Sequence, residues 1–285
     1  MRFEDFMVNS YSVWQRGGRF NIQESIYGRK YIVREADATE FYDVFDNPEE
    51  LAMDALRTAL TVLEAKSEGS VRESILKFIS QYGFLGLINV LPRTSRFLEQ
   101  KTVYFPKNNI IKAESMKTQE YLSIFFPFKK PKYTWLHPEG KPLMPDLNET
   151  LYMMPEYAEP YDWVVQIFKD WAYMLIAVND FRFINERNSA QEIYLRRRTF
   201  RNFDAPMPNY MIEYDGKPTF MWNFTSLWQA ADILIKVRLT NPVTTICICP
   251  RCLKPFKTPW MNLYQVRDLC CKDCMEKETE LRAEA

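Results

Sequence analysis

Two cysteine pairs near the C-terminus constrain this chain more than any other feature. Cys249-Pro-Arg-Cys252 and Cys271-Lys-Asp-Cys274 are both Cys-x2-Cys, with 18 residues between Cys252 and Cys271. That spacing lets each pair grip one edge of a tetrahedral ion, and structural zinc takes four such ligands. The spacing predicts a small knuckle-and-hairpin unit closed around one structural zinc ion. Pro250 suits a tight knuckle turn, and Phe256 can pack beneath it. Cys271 and Cys274 fall at the start of the last helix, where the helix dipole favours thiolates. The expected ligands are Cys249, Cys252, Cys271 and Cys274. Cys270-x3-Cys274 is an alternative second pair, and Cys247 is a spare thiol. Four thiolates leave no open position for water, so catalysis at the metal is not expected.

All six cysteines lie between positions 247 and 274. A disulfide framework would staple the chain more widely and would follow a secretory signal. The opening Met1-Arg-Phe-Glu-Asp-Phe has no apolar signal core. No stretch is long and apolar enough to span a bilayer. A reducing cytoplasm is the expected setting, with no membrane partner. With 47% apolar and 15% aromatic residues, the chain can build a large core and is not expected to be disordered. Its 37 Lys and Arg balance 37 Asp and Glu, so only a local patch could attract nucleic acid.

The periodicity predicts strands first and helices later. Tyr11 to Trp14, Arg19 to Ile22 and Lys30 to Val33 are strand candidates, punctuated by Gly17-Gly18 and Gly28. Asn47, Pro48 and Glu50 read as N-cap, first turn and capping box. Ala52, Ala55, Leu56, Ala59, Leu60 and Leu63 then repeat along one buried helical face. A second helix is expected from Val71 to Tyr82, and a short one from Met116 to Phe126. Seven prolines between 127 and 160 exclude a long helix or a central strand. The aromatics among them predict that this segment packs on the body. A long, largely buried helix is expected from Pro160 to Ile184. Tyr210 to Trp222 reads as a hairpin around Asp215-Gly216, followed by a helix capped by Thr225 or Ser226.

Other catalytic signatures fail. The zinc-deaminase pattern needs His-x-Glu and Pro-Cys-x2-Cys. His137-Pro138-Glu139 supplies the first, but Ile248 and Cys270 stand where the proline should precede each pair. No nucleophile elbow, P-loop or dinucleotide fingerprint is present, and 8 glycines leave little for a phosphate cradle. Glu149, Glu156 and Glu159 read as solvated loop acids. An enzyme is the weakest of three readings that the sequence leaves open.

Two places could contact nucleic acid. Arg196, Arg197, Arg198 and Arg201 form the densest basic cluster, interleaved with Tyr194 and Phe200. Lys254 and Lys257 add charge around the first cysteine pair, charge that also serves to offset a zinc tetrathiolate. From Tyr210 to Arg282 the order is an apolar hairpin, Trp-Asn-Phe-Thr-Ser-Leu, Leu-Thr-Asn-Pro, then Cys-x2-Cys-x3-Phe and a final Cys pair. This resembles bacterial proteins whose mainly helical domain ends in a treble-clef-type zinc finger, in the style of the CGNR zinc-finger proteins. Met275-Glu276-Lys277 follows Cys274 here, without the Gly-Asn-Arg of that family. The resemblance implies a regulatory, DNA-binding role.

The expected fold is α+β: a mainly helical body with a small β-rich N-terminal part and a C-terminal four-cysteine zinc-binding module. The body spans 1–242 and the module 243–285. Two roles follow. One is a nucleic-acid-binding or transcription-regulatory protein. The other is a protein-interaction or ligand-sensing protein with a purely structural finger.

Overall fold

The computed structural model describes residues 13–35, 40–88, 102–104, 115–117, 120, 123–124, 126–128, 158–183, 209–214, 218–224, 226–241, 243–259, 262 and 269–283. The fold is α+β, with strands first, helices around the core and a four-cysteine cluster near the C-terminus.

Four strands open it: β1 (Val13–Arg16), β2 (Phe20–Glu24), β3 (Lys30–Arg34) and β4 (Glu40–Asp43). β1 pairs antiparallel with β4, and β2 with β3. The outer edge of β3 receives β7 (Ala158–Pro160), an edge strand that ends on the last of those prolines. An edge strand is where a sheet tolerates proline. Phe128 packs edge-on against Tyr31 at 6.1 Å between centroids, so the start of this stretch lies on the body as expected.

Helix α1 (Pro48–Glu64) carries proline in its first turn, but Asn47 makes no side-chain cap bond. Leu51, Ala52, Ala55, Leu56, Ala59 and Leu60 are all buried. The small alanines allow close approach by α3 (Tyr161–Phe183), the long helix foreseen from its apolar pattern. Helix α2 (Glu68–Tyr82) begins three residues earlier than Val71, because Ser67 Oγ accepts from the Ser70 amide at 3.3 Å. Gly83 ends it at φ 88°, donating to Ile79 O at 2.7 Å. A Cβ there would lie 2.1 Å from Gln15 O, so α2 meets the end of β1 only through glycine.

β5 (Thr102–Tyr104) pairs with β6 (Ser115–Lys117). The helix expected from Met116 thus begins with a strand instead; Glu120, Ser123 and Ile124 are helical. β8 (Asn209–Tyr214) and β9 (Pro218–Asn223) form the anticipated hairpin. Ser226, rather than Thr225, caps α4 (Leu227–Thr240) by accepting from the Gln229 amide at 3.1 Å.

Helices α1 to α4 enclose one core. Phe168 meets Phe78 at 5.2 Å and Trp171 at 5.4 Å, both edge-on. Such contacts add about 0.5–1.5 kcal/mol each beyond area burial. Trp171 Nε1 donates to the buried Asp232 on α4 at 3.1 Å, and Lys236 sits 2.8 Å from the same carboxylate. A buried charge is tolerable only with such partners.

Glu159 corrects the reading of this acid as solvated. It is fully buried on β7. Its carboxylate accepts from the amides of Leu85 at 3.0 Å, Gly86 at 2.5 Å and Leu87 at 3.0 Å. The turn after α2 curls its amides round the carboxylate, and Gly86 reaches that geometry at φ 74°.

Candidate metal centre

The site begins where α4 ends. Asn241 Oδ1 accepts from the amides of Val243 at 2.9 Å and Thr244 at 3.1 Å, turning the chain into β10 (Thr244–Ile248). β10 pairs antiparallel with β11 (Pro255–Pro259), setting Cys247 opposite Phe256 and Ile248 opposite Pro255. Residues 249 to 254 form the knuckle between them. The Cys249 amide donates to Lys254 O and the Leu253 amide to Cys249 O, both at 2.9 Å. Closing this turn puts Leu253 at φ 58°. That is the left-handed region, which costs an L-residue with a Cβ roughly 1–2 kcal/mol.

The second pair comes from α5 (Lys272–Ala283). Cys271 immediately precedes the helix, and its carbonyl accepts from the amides of Cys274 and Met275 at 3.1 Å each. Cys274 therefore stands in the first helical turn, as the dipole argument required. Arg251 in the knuckle pairs with Glu278 on α5 at 2.5 Å, bracing helix against turn.

The four sulfurs of Cys249, Cys252, Cys271 and Cys274 lie within 4.8 Å of one another, with Cys249 and Cys271 buried and the other two half-buried. Cys252 Sγ and Cys271 Sγ are 3.6 Å apart. A tetrahedral ion with metal–sulfur bonds of about 2.3 Å needs sulfur separations of about 3.8 Å. The donor set therefore fits a metal ion. None of the six cysteines is in a disulfide.

The thiols are not equivalent. Burial opposes ionisation of Cys249, but the amides of Cys271, Cys252 and Arg251 outweigh it and bring the thiol down to about 6. The Cys271 amide reaches Cys249 Sγ at 3.5 Å, so one pair stabilises a thiolate of the other. The hydrogen bond with Cys271, burial, and the neighbouring Cys252 and Cys249 push Cys274 up to about 12. Burial likewise raises Cys271. Negative charge at one sulfur discourages it at the rest, a conflict that a divalent cation resolves.

Of Cys270 and Cys271, it is Cys271 whose sulfur joins the cluster. Cys270 is buried beside Cys249 and Cys271. Cys247 is buried on β10. Phe256 packs against the cluster, as expected.

The basic residues divide differently. Arg196, Arg197, Arg198 and Arg201 lie outside the described residues, as does His137. Lys257 is joined to Glu49 at the start of α1 at 2.8 Å, and Arg238 of α4 stands 3.7 Å from the same carboxylate. The Lys257 bond, against partial burial, holds the Glu49 carboxyl below its ordinary range. Lys254 is exposed. Sequence reasoning missed this seam, because residues 49, 238 and 257 share no local pattern.

No family model matches this chain, and neither a curated protein nor a solved structure matches it. The likeness to CGNR-type fingers thus rests on the residues quoted for it. Among the described residues, no helix is long and apolar enough to cross a membrane.

Proposed function

We propose that this chain is a zinc-binding protein that holds one structural ion through Cys249, Cys252, Cys271 and Cys274. The convergence of four sulfurs within 4.8 Å carries this reading. Four soft sulfur donors in this compass favour zinc over hard cations, which take oxygen ligands. Bound there, zinc supplies charge neutralisation and a cross-link rather than a reactive water, because all four positions go to sulfur. The protein's own groups orient the ligands: the Cys271 amide on Cys249, and Arg251 on Glu278.

For the role of the protein, the charge arrangement favours protein interaction or ligand sensing over nucleic-acid binding. Lys257, Arg251 and Lys272 face Glu49, Glu278 and Glu276, so three of the module's cations are engaged within the chain. A nucleic-acid reader needs such cations for phosphates. The nucleic-acid reading, in which Arg196, Arg197, Arg198, Arg201, Lys254 and Lys257 form the contact surface, is tested by gel shift against random duplex DNA at low salt. No shift is expected. A salt-sensitive shift lost on replacing Arg196 to Arg198 by alanine would restore it.

A further inference from the structure

We propose that the metal knuckle latches the helical body, so that metal occupancy sets the stability of α3 and α4 as well as that of the finger. The proposal rests on the zinc reading above and extends it from a local staple to a device coupled to the whole fold.

Three contacts carry the coupling. Ile246 of β10 is 2% exposed and belongs to the same core cluster as Trp171 and Leu234. Asn179, buried near the end of α3, accepts from the Ile248 amide at 3.2 Å and donates to Leu175 O at 2.8 Å. That bond lies one residue before Cys249. Lys257 of β11 reaches Glu49 at 2.8 Å, with Arg238 beside it, joining the hairpin to α1 and α4.

The knuckle is poorly supported without a metal. Within the turn there are two backbone bonds, and Leu253 sits in the left-handed region; the Arg251–Glu278 pair and the Cys271 amide on Cys249 are its ties to the second cysteine pair. Opening the turn frees β10 from its register with β11. Ile246 then leaves the core, and Asn179 Oδ1 loses the Ile248 amide. A buried acceptor without its donor is costly, so α3 is penalised by an event at the finger. Coupling of this kind is reciprocal: whatever weakens the seam must weaken metal binding.

Hydrogen exchange on the full chain, zinc-loaded and after chelation, tests this. Chelation is expected to speed exchange in 249–254 and 272–283, and also about tenfold or more in 171–179 and 227–240. Faster exchange confined to the first two segments overturns the latch and leaves the zinc reading intact. No bound zinc and no response anywhere overturns both. Zinc competition against a chromophoric chelator supplies the reverse arm. Asn179→Ala is expected to weaken zinc binding about tenfold, the worth of one buried hydrogen bond. Glu49→Gln, on the surface and compatible with folding, is expected to weaken it severalfold. Affinities equal to wild type in both variants contradict the proposal.

Discussion

Replacing Glu159 by alanine tests the packing account at a residue outside the cysteine cluster. The carboxylate is fully buried and accepts from three consecutive amides, those of Leu85, Gly86 and Leu87. Hydrogen bonds to a charged acceptor are each worth about 1.5–3 kcal/mol net. Their loss leaves three amide donors in a turn fixed on its other side by the Trp228 amide on Leu85 O at 2.8 Å. Allowing for water entering the space, the expected loss is about 4–6 kcal/mol, a large share of the ~5–15 kcal/mol that holds a typical fold together. Glu159→Gln separates charge from shape. It keeps one acceptor oxygen but points an amide donor at a backbone donor, so an intermediate loss of about 2–3 kcal/mol is expected. Urea unfolding of the zinc-loaded protein gives both values, and exchange at the amides of residues 85 to 87 localises the effect. A loss below about 1 kcal/mol for alanine, with those amides still protected, would refute the claim that Glu159 organises the turn.

Gly83→Ala should cost at least 2–3 kcal/mol by urea unfolding, since its Cβ would fall 2.1 Å from Gln15 O at φ 88°. Leu253→Gly relieves the left-handed φ of 58° in the knuckle, so zinc affinity should hold or rise, with about 0.5–1 kcal/mol gained. The depressed Glu49 carboxyl predicts acid sensitivity at the seam. Because its folded value lies below its ordinary 4.5, its contribution is complete above that value and disappears as pH falls through the lower, folded one. Glu49→Gln should remove this part of the stability–pH profile, and an unchanged profile would contradict the assignment.

Much of this was legible in the chain because local rules sufficed. The alanine and leucine face of α1, the length of α3, the pairing of β8 with β9 and the four cysteines each follow from spacing over a few residues. The expected start of α2 at Val71 fell three residues late, because the Ser67 cap sets it at Glu68. Glu159 was misjudged because its partners lie more than seventy positions away, in a glycine-containing turn. The two-residue spacing favoured Cys271 over Cys270, and it is the Cys271 sulfur that joins the cluster. The two thiols are separated by how α5 presents its first turn to the knuckle, a tertiary property. The seam of Asn179, Ile246, Glu49 and Lys257 shows no signal in the sequence, since each residue alone resembles an ordinary helix or strand position.

The central claim is that these four sulfurs share one ion. Metal analysis of the purified full chain beside its Cys252→Ser variant tests it most directly. The account predicts one zinc per wild-type chain and a large loss of bound zinc in the variant. Wild-type protein that binds no zinc, or a Cys252→Ser variant that binds it as tightly as wild type, would contradict it.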